Sequence, residues 1–211
     1  MNKVIVVGSV NMDITARTDK LPDTGETVAA RSVEYLPGGK GLNQAVAAAF
    51  AKARRYGART ILNPSPVCPI PDEIFRNTDI LIVNETELAF LSRENVDENT
   101  PAEKIADAAE KLKTDAEQTV IVTLGSRGAL VAGSKDMLFV DSYKVPAVDT
   151  VGAGDCFAGV FAAKLAEGKD VGENVKTAAR AAAVCVTRKG AAPAMPDAGE
   201  LEHFCSVGCL P

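Results

Sequence analysis

The segment from Asp149 to Asp155, DTVGAGD, places two glycines between carboxylates directly ahead of a helical pattern. Glycines permit a tight turn with consecutive N–H groups exposed, and a helix N-terminus carries roughly half a positive charge, so the turn is suited to bind phosphate. Beside phosphate, Asp155 would be repulsive unless it accepts the proton of an attacking hydroxyl. The alternative is structural: Asp155 caps the helix, and Gly152 and Gly154 only shape a tight turn.

Two further segments have side chains that can hold polar ligands. The run GGKGLN at 38–43 precedes a helical pattern and offers backbone donors, a cation and an amide to polyol hydroxyls or a phosphate. It lacks the full pattern of a Walker-type loop, and its alternative is a helix-starting turn with an exposed lysine. Asp13 follows the first predicted strand, where ligands bind in open α/β sheets, and can accept from two vicinal sugar hydroxyls. Its alternative is an ordinary turn residue.

The overall composition excludes several classes of function. The chain has 211 residues, 46% of them apolar, which suffices for one sizeable domain with its own core. A formal net charge of −5 argues against a binder of nucleic acid or anionic membranes, since both need basic surfaces. No apolar run approaches the ~20 residues of a membrane helix, and the short apolar start is typical of a buried strand rather than a signal peptide. We therefore expect a soluble, cytoplasmic protein, which in a eukaryote could also be nuclear.

The five cysteines form no C-x-x-C pair. Cys205 and Cys209 lie four residues apart near the single histidine, His203, but a fourth metal ligand is missing. Reduced thiols in a cytosolic protein are therefore favoured over a metal site.

Strand and helix patterns alternate along the chain and must position these segments. Continuous apolar runs predict strands at 4–7, 60–62, 80–83 and 119–124, with a hairpin-like segment at 13–35 and a second hairpin after 125. Helical patterns are found at 40–56, 85–91, 101–112, 152–165 and 174–186, whereas the tail from 203 is predicted to be loosely ordered. Thr100 and Glu103 form a capping-box pattern around Pro101. The alternation predicts an α/β fold, a single domain over 1–211 with a mainly parallel Rossmann-like sheet flanked by helices.

Taken together, these segments resemble the ribokinase (PfkB) family of carbohydrate kinases. The segments GSVNMD, LPDTGET, PGGKGLNQAVAAA, NPSP, DILIVNETE, TLGSRGA, DTVGAGDCFAG and VTRKGA occur in the family's order. PGGKGLNQAVAAA with VTRKGA is more similar to the ribose-phosphorylating branch than to the fructose or adenosine kinases. The resemblance implies a ribokinase-like fold and transfer of the ATP γ-phosphate to the 5-hydroxyl of D-ribose. It also implies a partial β lid at 13–36, through which family members often form homodimers.

The resemblance assigns roles to individual residues. It implies a catalytic base at Asp155 and an anion hole for the transferring phosphoryl group at Gly152, Ala153 and Gly154. The sugar-binding positions are Asn11, Asp13, Gly39, Lys40 and Asn43, together with Asp155. The N-x-x-E motif linked to Mg²⁺ and phosphate is formed by Asn84 and Glu87. The nucleotide-binding turn includes Thr123, Gly125 and Ser126, with Gly128 shaping the loop. A monovalent cation, usually K⁺, is implied at Asp149 with backbone carbonyls around Val151, Cys185 and Gly190. Ala194 stands where the family often has a hydroxyl ligand for that cation.

The chain departs from this family in length. Between AVAAAF and AKARRYGARTILNPSP the family has a segment of roughly 100 residues that is absent here, with the seam near 50–52. The absent part supplies core strands, half of the lid and an acidic sugar contact, and its loss uncovers apolar surface and strand edges. Three hypotheses stay open: an active kinase of ribose or another sugar, a truncated form that binds nucleotide with weak or no turnover, and a pure binding or regulatory module.

Overall fold

The chain folds into alternating strands and helices, as the computed structural model shows. The structure describes the backbone at 4–6, 13–17, 32–36, 40–65, 67, 69–133 and 137–207, and side chains at 47, 49–65, 67, 69–133 and 137–204. The strands are β1 (Val4–Val6), β2 (Asp13–Arg17), β3 (Ser32–Leu36), β4 (Arg59–Leu62), β5 (Ile80–Asn84), β6 (Thr119–Thr123), β7 (Ala129–Ala132) and β8 (Met137–Val140). The helices are α1 (Lys40–Arg55), α2 (Asp72–Arg76), α3 (Glu85–Ser92), α4 (Ala102–Leu112), α5 (Ala153–Ala166), α6 (Val171–Cys185) and α7 (Ala198–Val207).

The main sheet has the strand order β1-β4-β5-β6-β7-β8. Its first four strands are parallel neighbours. Strand β7 pairs antiparallel with β6 and with β8, and β7 and β8 form the second predicted hairpin. The α/β fold predicted from the alternation is therefore confirmed. Because the carboxyl ends of the parallel strands share one edge, the segments that follow β5 and β6 are brought together there.

Two hydrophobic clusters cover the two faces of this sheet. Strand β5 shows the alternation: Leu81 and Val83 belong to the cluster packed with α3 and α4, whereas Ile80 and Ile82 belong to the cluster packed with α5 and α6. The largest fully buried side chain of the second cluster is Phe161 in α5. Burial on both faces is the reason the strand sequences are unbroken apolar runs.

Strands β2 and β3 form a separate two-stranded antiparallel sheet, as the hairpin-like pattern predicts. Helix α1 runs without a break across residues 50–52, which the continuous helical pattern also predicts. Across the described ranges, no helix combines the length and the apolar character needed to cross a bilayer.

Several predicted boundaries are wrong, and the cause is local hydrogen bonding. Helix α6 begins three residues before the predicted Asn174, because the Asp170 side chain accepts from the N–H groups of Gly172 and Glu173 at 2.8 and 3.4 Å. Helix α2 was not predicted. The tail from His203 is helical as far as Val207, in α7, so its predicted loose order is wrong there.

The predicted capping box at Thr100 does not form. The N-cap of α4 is Pro101, and no side chain caps this helix. The Thr100 hydroxyl instead donates to Asp97 Oδ1 at 2.9 Å and accepts from the Asp97 N–H at 2.9 Å. A local turn therefore competes successfully for the residue that the pattern assigned to the helix.

Candidate active site

The DTVGAGD loop is attached to the C-terminal end of α6 by backbone hydrogen bonds. The N–H groups of Val148 and Asp149 both donate to the carbonyl oxygen of Val186, at 2.7 and 3.1 Å. Helices α5 and α6 pack against each other, so the loop before α5 and the segment after α6 lie side by side. The two segments are nearly forty residues apart in sequence, so spacing alone does not indicate this contact.

The Asp149 carboxylate joins the same two segments. Its Oδ2 accepts from the Gly190 N–H at 2.9 Å, and its Oδ1 accepts from the Val151 N–H at 3.0 Å. These two backbone hydrogen bonds, that from Gly190 first, hold the pKa of Asp149 below its ordinary value. Asp149 is therefore kept ionised at neutral pH and fixes the shape of the loop.

Gly152 is required by its backbone conformation and by its neighbour. Its φ is +80°, and a Cβ atom added there would lie 2.8 Å from the Cβ of Ala191. Gly154, in the first turn of α5, has no atom within 4 Å of such a Cβ and is exposed. Gly152 thus allows the loop to pack against the segment after α6, and Gly154 leaves the N-terminus of α5 accessible.

The N-terminus of α5 has the properties of an anion site. Its N-cap is Gly152, and no side chain caps the helix, so the alternative in which Asp155 is the cap is wrong. Asp155 lies in the first turn with an exposed side chain. The helix dipole and first-turn N–H groups that no side chain caps favour a bound anion here, next to the exposed Asp155 carboxylate.

Cys156, in the first turn of α5, contacts Cys185 at the end of α6. Both are free thiols. Cys156 is 3% exposed, and burial, followed by the influence of Cys185, raises its pKa to about 12. Burial likewise raises the pKa of Cys185. Since the thiolate is the reactive form, these cysteines are packing residues rather than nucleophiles.

Asn84 and Glu87 form a capping box at the start of α3. The Asn84 Oδ1 accepts from the Glu87 N–H at 2.9 Å, and the Glu87 Oε2 accepts from the Asn84 N–H at 2.8 Å. Asn84 is exposed at the carboxyl end of β5, whereas Glu87 is buried. The N-x-x-E motif is therefore a rigid helix start in which the Asn84 amide is open to solvent.

The predicted nucleotide turn follows β6 beside this helix start. Thr123 pairs with Asn84 in the β5–β6 ladder, and its hydroxyl donates to the Val83 carbonyl at 3.3 Å. Gly128, at φ +110°, has no room for a side chain, because a Cβ would lie 2.0 Å from the Val140 carbonyl oxygen. A short 3₁₀ turn, Gly125–Arg127, connects β6 to β7, and the Ser142 hydroxyl donates to the Ser126 carbonyl.

Sequence reasoning missed Arg127, although it singled out both glycines around it. Arg127 donates to Glu85 at 2.7 Å and so connects the nucleotide turn to α3. The feature of the sequence that could have indicated Arg127 is an arginine among the small residues of a turn.

Two of the predicted sugar-binding positions, Asn11 and Gly39, lie outside the described residues. Only the backbone is described for Asp13, Lys40 and Asn43, whereas Asp155 is described in full. Asp13 opens β2 opposite Leu36 of β3, while Lys40 and Asn43 lie in the first turn of α1.

The predicted cation site draws on the loop and on the segment at the end of α6, which meet at Asp149. The ionised carboxylate lies beside the backbone of Val151 and Gly190, and the Cys185 carbonyl accepts from the Arg188 N–H at 3.1 Å. Ala194 is fully buried and offers no hydroxyl. Carboxylate and carbonyl oxygens are suited to hard cations.

Among the residues whose side chains are described, no three His, Cys, Asp or Glu are grouped for metal binding. Cys205 and Cys209 lie outside that set.

A family model described as pfkB family carbohydrate kinase matches this chain over residues 1–54 and 49–198. The chain belongs to the pfkB family. The two matched stretches meet within α1, at the seam that the sequence predicts.

The proteins similar to this chain include several ribokinases. The chain is 30% identical over 201 residues to the ribokinase of Staphylococcus aureus, covering 92% of this chain and 62% of that protein. This chain thus spans less than two thirds of that relative's length. The structure of Arabidopsis thaliana ribokinase complexed with ribose and ATP matches with a TM-score of 0.68 at 25% identity, over 96% of this chain and 98% of that chain.

The ribokinase of Bacillus subtilis shows the size of the difference. It is 28% identical over 306 aligned positions, which cover 98% of this chain and 100% of that protein. Because this chain has 211 residues, at least 95 of the 306 positions have no counterpart in it. Compared with its relatives, this pfkB protein lacks a central segment.

Proposed function

We propose that this chain is an ATP-dependent sugar kinase that transfers the γ-phosphate of ATP to the 5-hydroxyl of D-ribose. The observation that carries the proposal is the uncapped N-terminus of α5, which presents the exposed Asp155 carboxylate beside backbone N–H groups. Family membership supports the reaction class, and the ribokinase relatives support ribose as the acceptor.

The residues of the loop divide the chemistry between them. Asp155 takes the proton of the sugar's primary hydroxyl while the hydroxyl oxygen forms a bond to the γ-phosphorus of ATP. The bond from that phosphorus to the oxygen bridging to the β-phosphate breaks, and ADP leaves. The N–H groups at Gly152, Ala153 and Gly154 are assigned to stabilise charge on the transferring phosphoryl group, because they lie at the positive end of α5; the Ala153 N–H, which donates to the Thr150 carbonyl at 3.3 Å, would exchange that partner for the phosphoryl group.

The remaining assigned residues hold the nucleotide and its cations in this proposal. Mg²⁺ would neutralise phosphate charge and would be held near Asn84 and Glu87, while the turn at Thr123, Gly125 and Ser126 binds the nucleotide, with Gly128 shaping it. K⁺ would lie at Asp149 among the carbonyls of Val151, Cys185 and Gly190. The sugar hydroxyls are assigned to Asn11, Asp13, Gly39, Lys40 and Asn43.

The test is ADP release by the purified chain with ATP, Mg²⁺ and K⁺, with D-ribose present or absent. We expect ribose-dependent release that Asp155→Asn lowers by about 10²–10⁴-fold, the usual contribution of a general base. Asp107→Asn, an exposed carboxylate on α4, is the matched control and should leave the rate unchanged. Equal rates in wild type and Asp155→Asn would remove Asp155 from the mechanism.

A second candidate is a protein that binds nucleotide without turnover. The observation that favours it is the missing central segment, because an incomplete site admits water where phosphoryl transfer needs to exclude it. ADP binding measured by calorimetry, combined with no ribose-dependent ADP release, would select this candidate over the kinase.

We further propose a cytoplasmic homodimer formed through the lid at 13–36. An isolated two-stranded sheet is marginally stable in water, and the described residues supply β2 and β3 with no third strand. A second copy would provide one. Light scattering after gel filtration should give twice the chain mass; a monomer mass at micromolar concentration would contradict the dimer.

A further inference from the structure

Arg127 connects three segments at the carboxyl edge of the sheet. It is the last residue of the 3₁₀ turn after β6, and its Nη2 donates to Glu85 Oε1, in the first turn of α3, at 2.7 Å. Its Nη1 donates to the Thr100 carbonyl at 2.7 Å, and Nη2 also contacts the Asp97 carbonyl at 3.4 Å. One side chain thus spans the turn, α3 and the loop before α4.

The environment of this side chain makes the connection stiff. The Arg127 and Glu85 side chains are 32% and 22% exposed, so the ion pair is partly shielded from water and salt. The loop that receives the other donors is itself fixed: the Thr100 hydroxyl, the Asn99 N–H and, less strongly, the Arg127 charge lower the pKa of Asp97. A planar guanidinium can hold several acceptors at once in fixed geometry.

The two segments that Arg127 joins carry the proposed nucleotide chemistry. Glu85 directly follows Asn84 of the capping box, and Arg127 directly follows Gly125 and Ser126 of the turn. Within the described part of the chain, no other side-chain hydrogen bond or ion pair joins residues 125–127 to residues 84–87. Beyond the ladder pair of Asn84 and Thr123, Arg127 is therefore the side-chain link between these segments.

We propose that Arg127 is a positioning residue that sets the spacing between the nucleotide turn and the N-x-x-E motif, and thereby the affinity for a magnesium-bound nucleotide. The inference rests on the proposed function, since it takes the nucleotide site to lie between these segments. The guanidinium acts through Glu85 and the turn. It does not need to touch the nucleotide.

The test compares Kd for ADP by calorimetry, in Mg²⁺ and in EDTA, between wild type, Arg127→Ala and Arg127→Lys. We expect Arg127→Ala to weaken binding in Mg²⁺ about tenfold, and binding in EDTA by less, so that the advantage given by Mg²⁺ shrinks. Arg127→Lys keeps the charge near Glu85 but cannot hold the carbonyls as well, so it should give an intermediate value. Because Arg127→Lys is the milder change, it tests the idea even where the alanine variant does not fold.

Lys111→Ala is the control, because it removes the exposed Lys111–Glu94 ion pair at the far end of α4. It should leave both Kd values and their ratio unchanged. A Kd in Mg²⁺ equal to wild type in both Arg127 variants, or equal weakening in Mg²⁺ and EDTA, overturns the positioning role. Failure of the wild type to bind ADP at all overturns the proposed function instead, and the inference with it.

Discussion

At the scale of single residues, Gly152 and Gly154 stand in one loop but have opposite surroundings. Gly152 has φ +80° and packs on Ala191, whereas Gly154 is exposed, with nothing within 4 Å of the place a Cβ would take. The spacing G-x-G indicates a tight turn from sequence alone. It does not reveal which glycine is required, because that depends on Ala191, 39 positions away from Gly152 in the sequence.

Gly152→Ala should lower the free energy of unfolding by about 1–3 kcal/mol, the cost of a strained left-handed residue, with the clash against Ala191 adding to it. Gly154→Ala, the matched control, lies within α5 and should be neutral or raise the stability by at most about 1 kcal/mol. Urea unfolding of the two variants measures both values. Equal effects would mean that the contact with Ala191 does not constrain the loop.

Glu87 has two roles to separate, the observed helix cap and the proposed link to Mg²⁺. Glu87→Gln keeps an oxygen that accepts from the Asn84 N–H but removes the charge, so unfolding free energy should stay within about 0.5 kcal/mol of wild type. Glu87→Ala loses that hydrogen bond and should cost about 1–2 kcal/mol. If the charge serves Mg²⁺, both variants should lower the Mg²⁺ dependence of ADP binding alike. Wild-type Mg²⁺ dependence in Glu87→Gln would leave Glu87 a cap only.

At the scale of elements, sequence patterns predicted the existence of most strands and helices. Strand β5 and helix α5 were visible because their apolar periods match burial on one or both faces. Helix α2 has only five residues, too few to show a period, and was missed. Thr100 was misassigned because its hydroxyl can serve a turn as readily as a helix, and Asp97 decides between them.

A bidentate ion pair joins helix α7 to the segment after α6. Arg188 Nη1 and Nη2 donate to the two Glu200 oxygens at 3.1 and 2.7 Å. These bonds, followed by one from the Asp197 N–H, lower the pKa of Glu200 below its ordinary value of 4.5. The stabilisation is therefore present above that value and is lost as the pH falls through the folded-state pKa.

Glu200→Gln should accordingly lower the unfolding free energy near neutral pH, and the difference from wild type should vanish as the pH falls below 4.5 and through the lowered folded-state pKa of Glu200. Glu202→Gln, at an exposed position of the same helix, is the control and should show no such convergence. Urea unfolding at a series of pH values gives the comparison. A difference that stays constant with pH would show that the ionised pair does not stabilise α7.

At the scale of the whole molecule, this chain keeps the sheet and both helical layers around the DTVGAGD loop while lacking a central segment of its relatives. The seam was predictable in length and place from the resemblance, yet it left no mark in periodicity, since α1 continues across it. The joining of the loop to the end of α6 was implied by the resemblance, which groups Asp149 with Cys185 and Gly190. Spacing and periodicity alone could not predict it, because Asp149 and Gly190 meet only in the folded chain.

We propose that these 211 residues transfer a phosphoryl group to D-ribose through the loop at 149–155. Phosphorus NMR of the purified chain with ATP, Mg²⁺, K⁺ and D-ribose tests it directly, since it observes the product itself. We predict a growing phosphomonoester signal coupled to two methylene protons, as a 5-phosphate requires, and its near-complete loss in Asp155→Asn. ADP bound tightly with no phosphomonoester formed, or the same product formed at the same rate by Asp155→Asn, would contradict the claim.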